Sequence, residues 1–189
     1  GELYNGSVHP VAPYGIRGAL WYQGESNTDR AAQYERLLPA MIREWRRLWG
    51  QGDFPFLYVQ LPNYGKRTAE PQPESRWAEF REAQRQVLAE RHTGMITAID
   101  LGDPDDIHPR NKQSVGARLA ALALAKVYGK DVAGSGPLYK AMTVKDGKVR
   151  LRFDAVDGGL VVGGSGGAEE GLRGFIIAGP DHKFVWAKA

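Results

Sequence analysis

Apolar runs that alternate with helical patterns limit the fold of this chain more than any other feature. Residues 18–22, 54–61 and 94–101 (GALWY, FPFLYVQL and GMITAIDL) are apolar at almost every position. Strands of this kind are buried on both faces, which is typical of a parallel sheet covered by helices. The sequence therefore predicts an α/β fold with a parallel sheet.

Segments with helical periodicity follow each predicted strand. The first reaches Trp49 and contains Pro39, which is expected to kink or divide the helix. The second begins at Ser75, and the third covers residues 111–128. Residues 1–16, with several prolines and glycines, are predicted to form a loop.

The C-terminal part has a different pattern. Residues 142–153 alternate as in a β-hairpin, with Asp146 and Gly147 where a type I′ turn needs positive φ. Residues 172–187 predict another strand pair, and residues 158–167 are glycine-rich and expected to be flexible.

This change in pattern predicts two domains. An α/β domain occupies residues 1–130, and a β-rich, sandwich-like region occupies residues 131–189. The second region is too short to close a stable sandwich by itself, so we expect it to be a partial domain.

Composition excludes several classes of function. The 189 residues carry a formal net charge of +3, but acidic residues are interspersed with the basic ones. No basic stripe with interleaved aromatic residues is present, so we expect no nucleic-acid partner. The absence of cysteine excludes disulfides, thiolate catalysis and Cys-zinc sites. No apolar run approaches the roughly 18 residues that span a bilayer, so no membrane partner is expected.

Two polar loops follow predicted strands, at residues 23–27 (QGESN) and residues 103–109 (DPDDIHP). Sites on parallel sheets gather on the loops beyond the carboxyl ends of the strands. We therefore expect these two loops to converge and to carry the functional groups.

His108 is the candidate proton carrier of the second loop. Imidazole accepts and returns a proton near neutral pH, and a carboxylate from Asp103, Asp105 or Asp106 would fix its tautomer. Alternatively, the acids only cap the following helix and His108 is a surface loop residue. A hard cation is a third possibility, although the loop lacks the ligand spacing and the glutamate of a calcium loop.

The first loop offers groups that would support a catalytic site. Gln23 carries an amide donor of the kind that an oxyanion hole uses, Gly24 permits an unusual backbone turn, and Glu25 could orient a neighbour. Ser26 lacks the second glycine of the G-x-S-x-G elbow. For Ser26 and Asn27 we prefer a simpler role as caps of the following helix.

Two further residues are candidates for substrate contacts. His9 precedes a proline near the N-terminus and either contacts substrate or packs within its loop. Asn63 lies in the polar loop after the second predicted strand. Aromatic residues at helical spacing are expected to pack in the core rather than against a sugar, namely Trp45, Trp49, Trp77 and Phe80.

Three long blocks carry a family resemblance: residues 3–27 (LYNGSVHPVAPYGIRGALWYQGESN), 34–61 (YERLLPAMIREWRRLWGQGDFPFLYVQL) and 100–120 (DLGDPDDIHPRNKQSVGARLA). They resemble the bacterial sialate O-acetylesterase family, which belongs to the SGNH (GDSL-like) hydrolases. The resemblance implies a flavodoxin-like, three-layer hydrolase domain with a parallel sheet. It also implies removal of acetyl groups from the hydroxyls of sugars.

Residue by residue, the resemblance implies roles in both loops. His108 matches the catalytic histidine of the family. Asp106 matches the acid of an Asp-Ile-His-Pro block, whereas Asp105 stands where the wider superfamily places its acid, so both remain candidates. Residues 23–25 match a Gln-Gly-Glu block whose glutamine resembles an oxyanion-hole donor. No cofactor and no metal are implied.

The nucleophilic serine of the family lies in a Gly-Gln-Ser-Asn block that this sequence lacks. We therefore expect the nucleophile on a preceding segment of the same protein, with Ser26 as the second choice. The chain would then be an internal fragment, inactive alone, of an enzyme for O-acetylated sugars. The resemblance implies a periplasmic or secreted protein, although this sequence shows no signal peptide.

The alternative function is a non-catalytic one. The β-rich region and aromatic residues such as Trp186 are compatible with a fragment that binds carbohydrate or another partner.

Overall fold

A three-stranded parallel sheet organises the first part of the chain in the computed structural model. Its strands are β1 (Ala19–Trp21), β2 (Phe56–Gln60) and β3 (Thr93–Thr97), in the order β1–β2–β3. Leu57 of β2 is in register with Leu20 of β1 on one side and with Gly94 of β3 on the other. The predicted parallel sheet is therefore confirmed.

Helices cover both faces of this sheet and give three layers. The helices α1 (Ala31–Trp49) and α2 (Arg76–Gln86) lie on the face to which Phe56 and Tyr58 point. The helix α3 (Lys112–Lys126) lies on the other face. The buried core between α3 and the sheet consists of Leu57, Val59, Ile96, Ala98, Val115, Leu119 and Leu122. The α/β class and the layered arrangement agree with the prediction.

The start of α1 differs from the prediction. Its N-cap is Arg30, whose side chain makes no capping hydrogen bond, so the prediction that Ser26 and Asn27 cap this helix is wrong. Those residues belong instead to a short 3₁₀ turn of their own. The helix is continuous through Pro39 and ends at Gly50, which has a positive φ of 63°.

The strand β3 ends earlier than its apolar run predicts. A guanidinium nitrogen of Arg118 donates to the carbonyl oxygen of Thr97 at 2.8 Å. The backbone N–H of Leu101 then donates to the carbonyl of Ala98 at 2.9 Å, which closes a turn. The apolar residues after Thr97 therefore leave the sheet, because a side chain and a turn satisfy the backbone groups there.

Arg46 joins the amino ends of β2 and β3. It is buried in α1, and its guanidinium donates to the carbonyl oxygens of Phe54 at 2.9 Å and of Arg91 at 2.8 Å. Burial lowers the pKa of Arg46 from its ordinary value. The hydrogen bonds to carbonyls compensate for the loss of water around this charge.

A β-hairpin forms the first part of the C-terminal region. The strands β4 (Leu138–Lys145) and β5 (Lys148–Asp154) pair antiparallel. Asp146 and Gly147 between them have φ values of 53° and 69°. A two-residue turn with positive φ at both positions is the predicted type I′ geometry, so the predicted hairpin is confirmed.

A second strand pair follows, formed by β6 (Ile176–Ile177) and β7 (Val185–Trp186), and it confirms the prediction for residues 172–187. The structure describes residues 1–66, 68–156, 158–162 and 172–189, so half of the glycine-rich segment 158–167 that is expected to be flexible lies outside the described residues. The chain divides into two units, residues 1–64 with 76–135 and residues 65–75 with 136–189. The division into an α/β domain at 1–130 and a partial, sandwich-like region at 131–189 stays a prediction.

The first residues form helical turns and not the predicted loop. A π-helical turn spans Tyr4–Val8, and a 3₁₀ turn spans His9–Val11. Pro10 lies in the first turn of the latter, where its missing N–H has no intrahelical partner to lose. Within the described ranges, no helix combines the length and the apolar character that crossing a membrane requires.

Candidate active site

The loops after β1, β2 and β3 all leave the sheet at its carboxyl end, because the three strands run parallel. Neighbouring strands lie about 4.8 Å apart, so the ends of β1 and β3 are roughly 10 Å apart. Residues 23–27 follow β1, and residues 98–111 follow β3. Both Gln23 and His108 lie in loops at this carboxyl end, and among the described residues no hydrogen bond joins them directly.

Asp106 holds His108 by two contacts. Its Oδ1 accepts a hydrogen bond from the backbone N–H of His108 at 2.8 Å and lies 3.2 Å from Nδ1 of the ring. The backbone hydrogen bond is the main reason that the pKa of Asp106 lies below its ordinary value. An ionised acceptor beside Nδ1 favours a proton on that nitrogen, which leaves Nε2 free to accept one.

The ring of His108 is open to solvent while its backbone is fixed. Its side chain is 79% exposed. Pro109, the next residue, is fully buried, and Asn111 caps α3 by accepting from the N–H of Ser114 at 3.0 Å. A fixed backbone with an accessible ring is the arrangement that a proton carrier for a bound substrate requires.

Asp105 makes a different contact. Its backbone N–H donates to Oδ1 of Asp103 at 2.9 Å, which shapes the loop. Of the two acids that remained open from the sequence, Asp106 is the one whose carboxylate lies within hydrogen-bond distance of the His108 ring, so far as the described chain shows.

Asn63 connects the loop after β2 to the loop after β3. Its Oδ1 accepts a hydrogen bond from the backbone N–H of Gly102 at 2.8 Å. A Cβ at Gly102 would collide with the backbone carbonyl oxygen of Asn63, so the close approach requires glycine. The sequence carries no local signal for this contact because 39 positions separate the two residues. A role of Asn63 in substrate binding stays a prediction.

Gln23 is held at both ends of its side-chain amide. Its Nε2 donates to Oδ1 of Asn27 at 2.8 Å, and its Oε1 accepts from the hydroxyl of Tyr34 at 3.2 Å. Tyr34 is buried in the first turn of α1 and accepts in turn from Nε1 of Trp21 at 3.2 Å. Reasoning from the sequence missed Tyr34, because its position on the apolar face of α1 indicates only core packing.

Gly24 follows an unusual backbone path. It is buried and has a φ of 152°. A Cβ at this position would lie 2.5 Å from Cε1 of Phe80. Backbone conformation and close packing against α2 both require glycine here, so the loop after β1 has one defined course.

Glu25 and Ser26 occupy the 3₁₀ turn that follows. The backbone carbonyl of Glu25 accepts from the hydroxyl of Thr28 at 3.0 Å, and the carbonyl of Ser26 accepts from Arg30 at 3.2 Å. Ser26 is exposed, and in the described chain no base contacts its hydroxyl. A serine nucleophile needs an adjacent base, so this geometry gives Ser26 no activation.

His9 lies in an exposed turn, where its ring centroid is 5.9 Å from that of Tyr4. This contact is local to the first residues, and a substrate contact by His9 stays a prediction. Tyr22, which the sequence did not single out, has a buried hydroxyl without a hydrogen-bond partner among the described residues. Burial, and then the charge of Glu25, raise the pKa of this hydroxyl, so it stays protonated at neutral pH.

Together, the carboxyl end of the sheet presents an exposed imidazole beside a carboxylate and a side-chain amide held at both ends. A base and a hydrogen-bond donor are the groups that acyl transfer requires. Within the part of the chain that the structure describes, no group of three or more His, Asp or Glu residues is placed to hold a metal ion.

Comparison with known proteins identifies relatives of this chain. The sequence model of the family described as "Carbohydrate esterase, sialic acid-specific acetylesterase" matches residues 3–125. The sialate O-acetylesterase of Mus musculus is 37% identical in an alignment that covers 80% of this chain and 31% of that protein. The sialate O-acetylesterase of Homo sapiens is 36% identical, with coverage of 72% and 29%.

A solved structure shares the fold. The crystal structure of a carbohydrate acetylesterase from Xanthomonas citri superposes with a TM-score of 0.82 and 41% identity. The match covers 98% of this chain and 42% of that one. The chain therefore spans just under a third of the length of the curated relatives, whose matched shares are 31% and 29%.

Proposed function

The chain belongs to the carbohydrate esterase family of sialic acid-specific acetylesterases, and from this membership we propose that the intact protein removes O-acetyl groups from sugars. One observation carries the proposal. Asp106 contacts the exposed ring of His108 at the carboxyl end of the sheet, and the amide of Gln23 lies at that same end. The ring supplies a base, and the amide supplies a donor for the developing negative charge.

In the proposed reaction, a serine hydroxyl attacks the carbonyl carbon of the acetyl ester while Nε2 of His108 takes the hydroxyl proton. Asp106 stabilises the imidazolium that forms. The proton then passes from Nε2 to the sugar oxygen as the ester C–O bond breaks. Water attacks the acetyl-serine with His108 again as base, which releases acetate and restores the serine.

Gln23 is assigned to the oxyanion. Its Nε2 carries two hydrogens, and one of them is engaged by Asn27. The second is available to the oxygen on which negative charge develops in the tetrahedral intermediate. A single donor of this kind contributes about 10²- to 10³-fold to kcat in a serine hydrolase.

The nucleophile is placed on polypeptide outside these 189 residues. Among the described residues no base contacts the hydroxyl of Ser26, and the Gly-Gln-Ser-Asn block of the family is absent from the sequence. Among the described strands, β1 pairs with β2 on one side only, so its other edge is free to pair with a further strand. A serine at the carboxyl end of such a strand would lie next to the loop of Gln23.

A fluorophosphonate probe separates the two candidates for the nucleophile. We expect the 189-residue chain to stay unlabelled, because no base activates Ser26. A label that is lost in Ser26→Ala would show instead that this chain contains its own nucleophile.

Acetate release by the longest natural polypeptide that contains these residues tests the function. The substrates are O-acetylated sialic acid and an acetylated plant polysaccharide. We expect His108→Ala to lower turnover by at least ~10²-fold, because the base is lost. The control is His182→Asn in the second unit, since asparagine tolerates the positive φ of 55° at that position.

Two results would contradict this proposal. Unchanged turnover in His108→Ala would remove His108 from the mechanism. Failure of the unmodified polypeptide to release acetate from either substrate would overturn the activity itself.

A second candidate function is sugar binding without catalysis. Trp186 is 47% exposed, and its indole N–H is fixed by a hydrogen bond to the carbonyl of Ala69 at 2.8 Å. A fixed, half-exposed indole is suited to stacking on a sugar ring. Calorimetric titration with acetylated and deacetylated sugars tests it, and binding without acetate release would favour this function over the first.

The proposal includes a location in the periplasm or outside the cell. It rests on the family resemblance, and the absence of cysteine is compatible with an oxidising or a reducing compartment. Recovery of the natural protein from the cytoplasmic fraction alone would contradict it.

A further inference from the structure

We propose that Tyr34 is a positioning residue that fixes which way round the side-chain amide of Gln23 lies. The inference rests on the proposed role of Gln23 as the oxyanion donor. Tyr34 itself touches no reacting atom in this scheme. It acts through Gln23, whose Oε1 lies 3.2 Å from the tyrosine hydroxyl.

The hydrogen bonds around Tyr34 run in one direction. The indole N–H of Trp21 can only donate, and it donates to the hydroxyl oxygen of Tyr34 at 3.2 Å. The hydroxyl proton then turns to two oxygens of Gln23, the side-chain Oε1 at 3.2 Å and the backbone carbonyl at 3.3 Å. In the structure the oxygen end of the amide faces this hydroxyl, and the nitrogen end faces Oδ1 of Asn27.

The surroundings keep the hydroxyl of Tyr34 in place as a donor. The tyrosine is 5% exposed, and its ring packs on Phe80 with centroids 4.5 Å apart. Burial raises the pKa of the Tyr34 hydroxyl, so it keeps its proton through the neutral range. Phe80 is also the ring against which Gly24 packs, so one side chain supports both the tyrosine and the backbone next to Gln23.

The direction of the amide matters because its two ends have opposite polarity. With Oε1 engaged by Tyr34 and one Nε2 hydrogen engaged by Asn27, the second Nε2 hydrogen is left for the oxyanion. A reversed amide would place an oxygen lone pair where the donor now lies, and this would repel the developing charge. Tyr34 thereby gives the amide of Gln23 a defined donor end.

The first test needs only the 189-residue chain. We expect Tyr34→Phe to speed solvent exchange of the Gln23 side-chain amide hydrogens, measured by NMR, by about 3- to 10-fold. A factor of this size is what the loss of one hydrogen bond typically gives. The matched control is Tyr58→Phe. It also removes a buried hydroxyl, one that donates to the carbonyl of Gln84 at 2.8 Å and does not touch Gln23.

The second test measures kinetics in the longest natural polypeptide. Tyr34→Phe is expected to lower kcat about 3- to 10-fold with little change in KM, because the oxyanion exists only after attack. Tyr58→Phe is expected to leave kcat unchanged. The double variant Tyr34→Phe/Gln23→Ala should be no slower than Gln23→Ala alone, because Tyr34 is proposed to act only through the amide donor of Gln23.

The outcomes separate this inference from the proposed function. Absence of acetate release by the unmodified polypeptide overturns the function, while the exchange of the Gln23 amide still decides the role of Tyr34. Unchanged exchange in Tyr34→Phe, or rate losses that multiply in the double variant, overturns the inference. If Tyr34→Phe does not fold, Trp21→Phe replaces it, because that change removes the donor that orients the hydroxyl, and a smaller effect in the same direction is expected.

Discussion

Among the individual side chains, Asp106 acts on His108 through geometry more than through charge. Its side chain is 48% exposed and that of His108 is 79% exposed, so water screens the attraction between them. The contact of Oδ1 with Nδ1 at 3.2 Å still favours a proton on Nδ1. In the proposed reaction only an unprotonated Nε2 can take the proton of the nucleophile, so this weak contact supports the role of His108 as the base.

We expect Asp106→Asn to lower kcat for acetate release by at least about 10²-fold, because an amide stabilises neither the imidazolium nor the required tautomer. Asp105→Asn is the matched control, since Asp105 makes no hydrogen bond to His108 among the described residues. Its effect should stay within about threefold, as expected for an exposed charge. Equal losses in the two variants would contradict the assignment of Asp106.

Gly24 provides a prediction for stability. We expect Gly24→Ala to lower the free energy of unfolding by at least about 2 kcal/mol, from backbone strain and from overlap with Phe80. Gly116→Ala in α3 is the control, for which we expect the free energy of unfolding to rise instead of fall. A Cβ there meets no atom within 4 Å, so it should stabilise the helix by about 0.5–1 kcal/mol. Urea denaturation measures both, and a Gly24→Ala protein of unchanged stability would refute the packing argument.

Between secondary-structure elements, Arg118 fastens α3 to the beginning of the loop that carries His108. Its guanidinium donates to both carboxylate oxygens of Asp100 at 2.6 Å each and to the carbonyl of Thr97. Asn63 fastens the same loop to the chain after β2. The loop is thus held at two points before it reaches the candidate base.

The pair of Arg118 and Asp100 predicts a pH dependence of stability. Hydrogen bonds from Arg118 are the main cause that holds the pKa of Asp100 below its ordinary value. A carboxyl group with a lowered pKa stabilises the folded state above its unfolded pKa, and this contribution is lost as the pH falls through the lowered value.

We therefore expect wild type to be more stable than Asp100→Asn at about pH 7, by no more than about 1 kcal/mol, with a difference that shrinks from about pH 4 downward. The limit is small because the side chains of Arg118 and Asp100 are 35% and 54% exposed. Urea denaturation across this range measures the difference, and one that grows towards low pH would show that the linkage has the wrong sign.

For the sheet as a unit, β1 is an edge strand with apolar surface beside it. Leu20 is 66% exposed, and a groove of ≈ 230 Å³ next to it is lined by residues that include Gly18, Ala123 and Tyr128. Parallel sheets are normally covered on both faces. The helices bury β2 and β3 but leave Leu20 of β1 exposed, which agrees with the proposal that further polypeptide of the same protein lies against β1.

Leu20→Ser tests this proposal by comparison of two lengths of chain. In the 189-residue chain it should change the free energy of unfolding by no more than about 0.5 kcal/mol, because Leu20 is exposed. In the longest natural polypeptide the loss should reach about 1.5–3 kcal/mol, because the side chain is then buried. Leu124→Ser in α3, also exposed at 41%, should have small effects in both. Equal effects of Leu20→Ser in the two chains would contradict the proposal.

Local patterns predicted the elements, whereas contacts between distant positions could not be predicted. Asp146 and Gly147 have the positive φ that their residue types indicate, because a turn depends on its own residues. Residues 98–101 leave the strand because the guanidinium of Arg118, 21 positions further along the chain, donates a hydrogen bond to the carbonyl of Thr97. The hydrogen bond from Tyr34 to Gln23 was equally hidden, because a buried tyrosine on a helix face has the same pattern whatever its hydroxyl touches.

Arg46 lies at the opposite end of the sheet from the candidate site, where it binds the carbonyls that precede β2 and β3. The strands are therefore anchored at one end, while the residues for chemistry lie at the other. If the proposed function holds, substitutions at the carboxyl end can change which sugar is accepted during evolution without weakening that anchor. A substitution of Arg46 would instead impair turnover of every substrate to the same degree, through the abundance of folded enzyme.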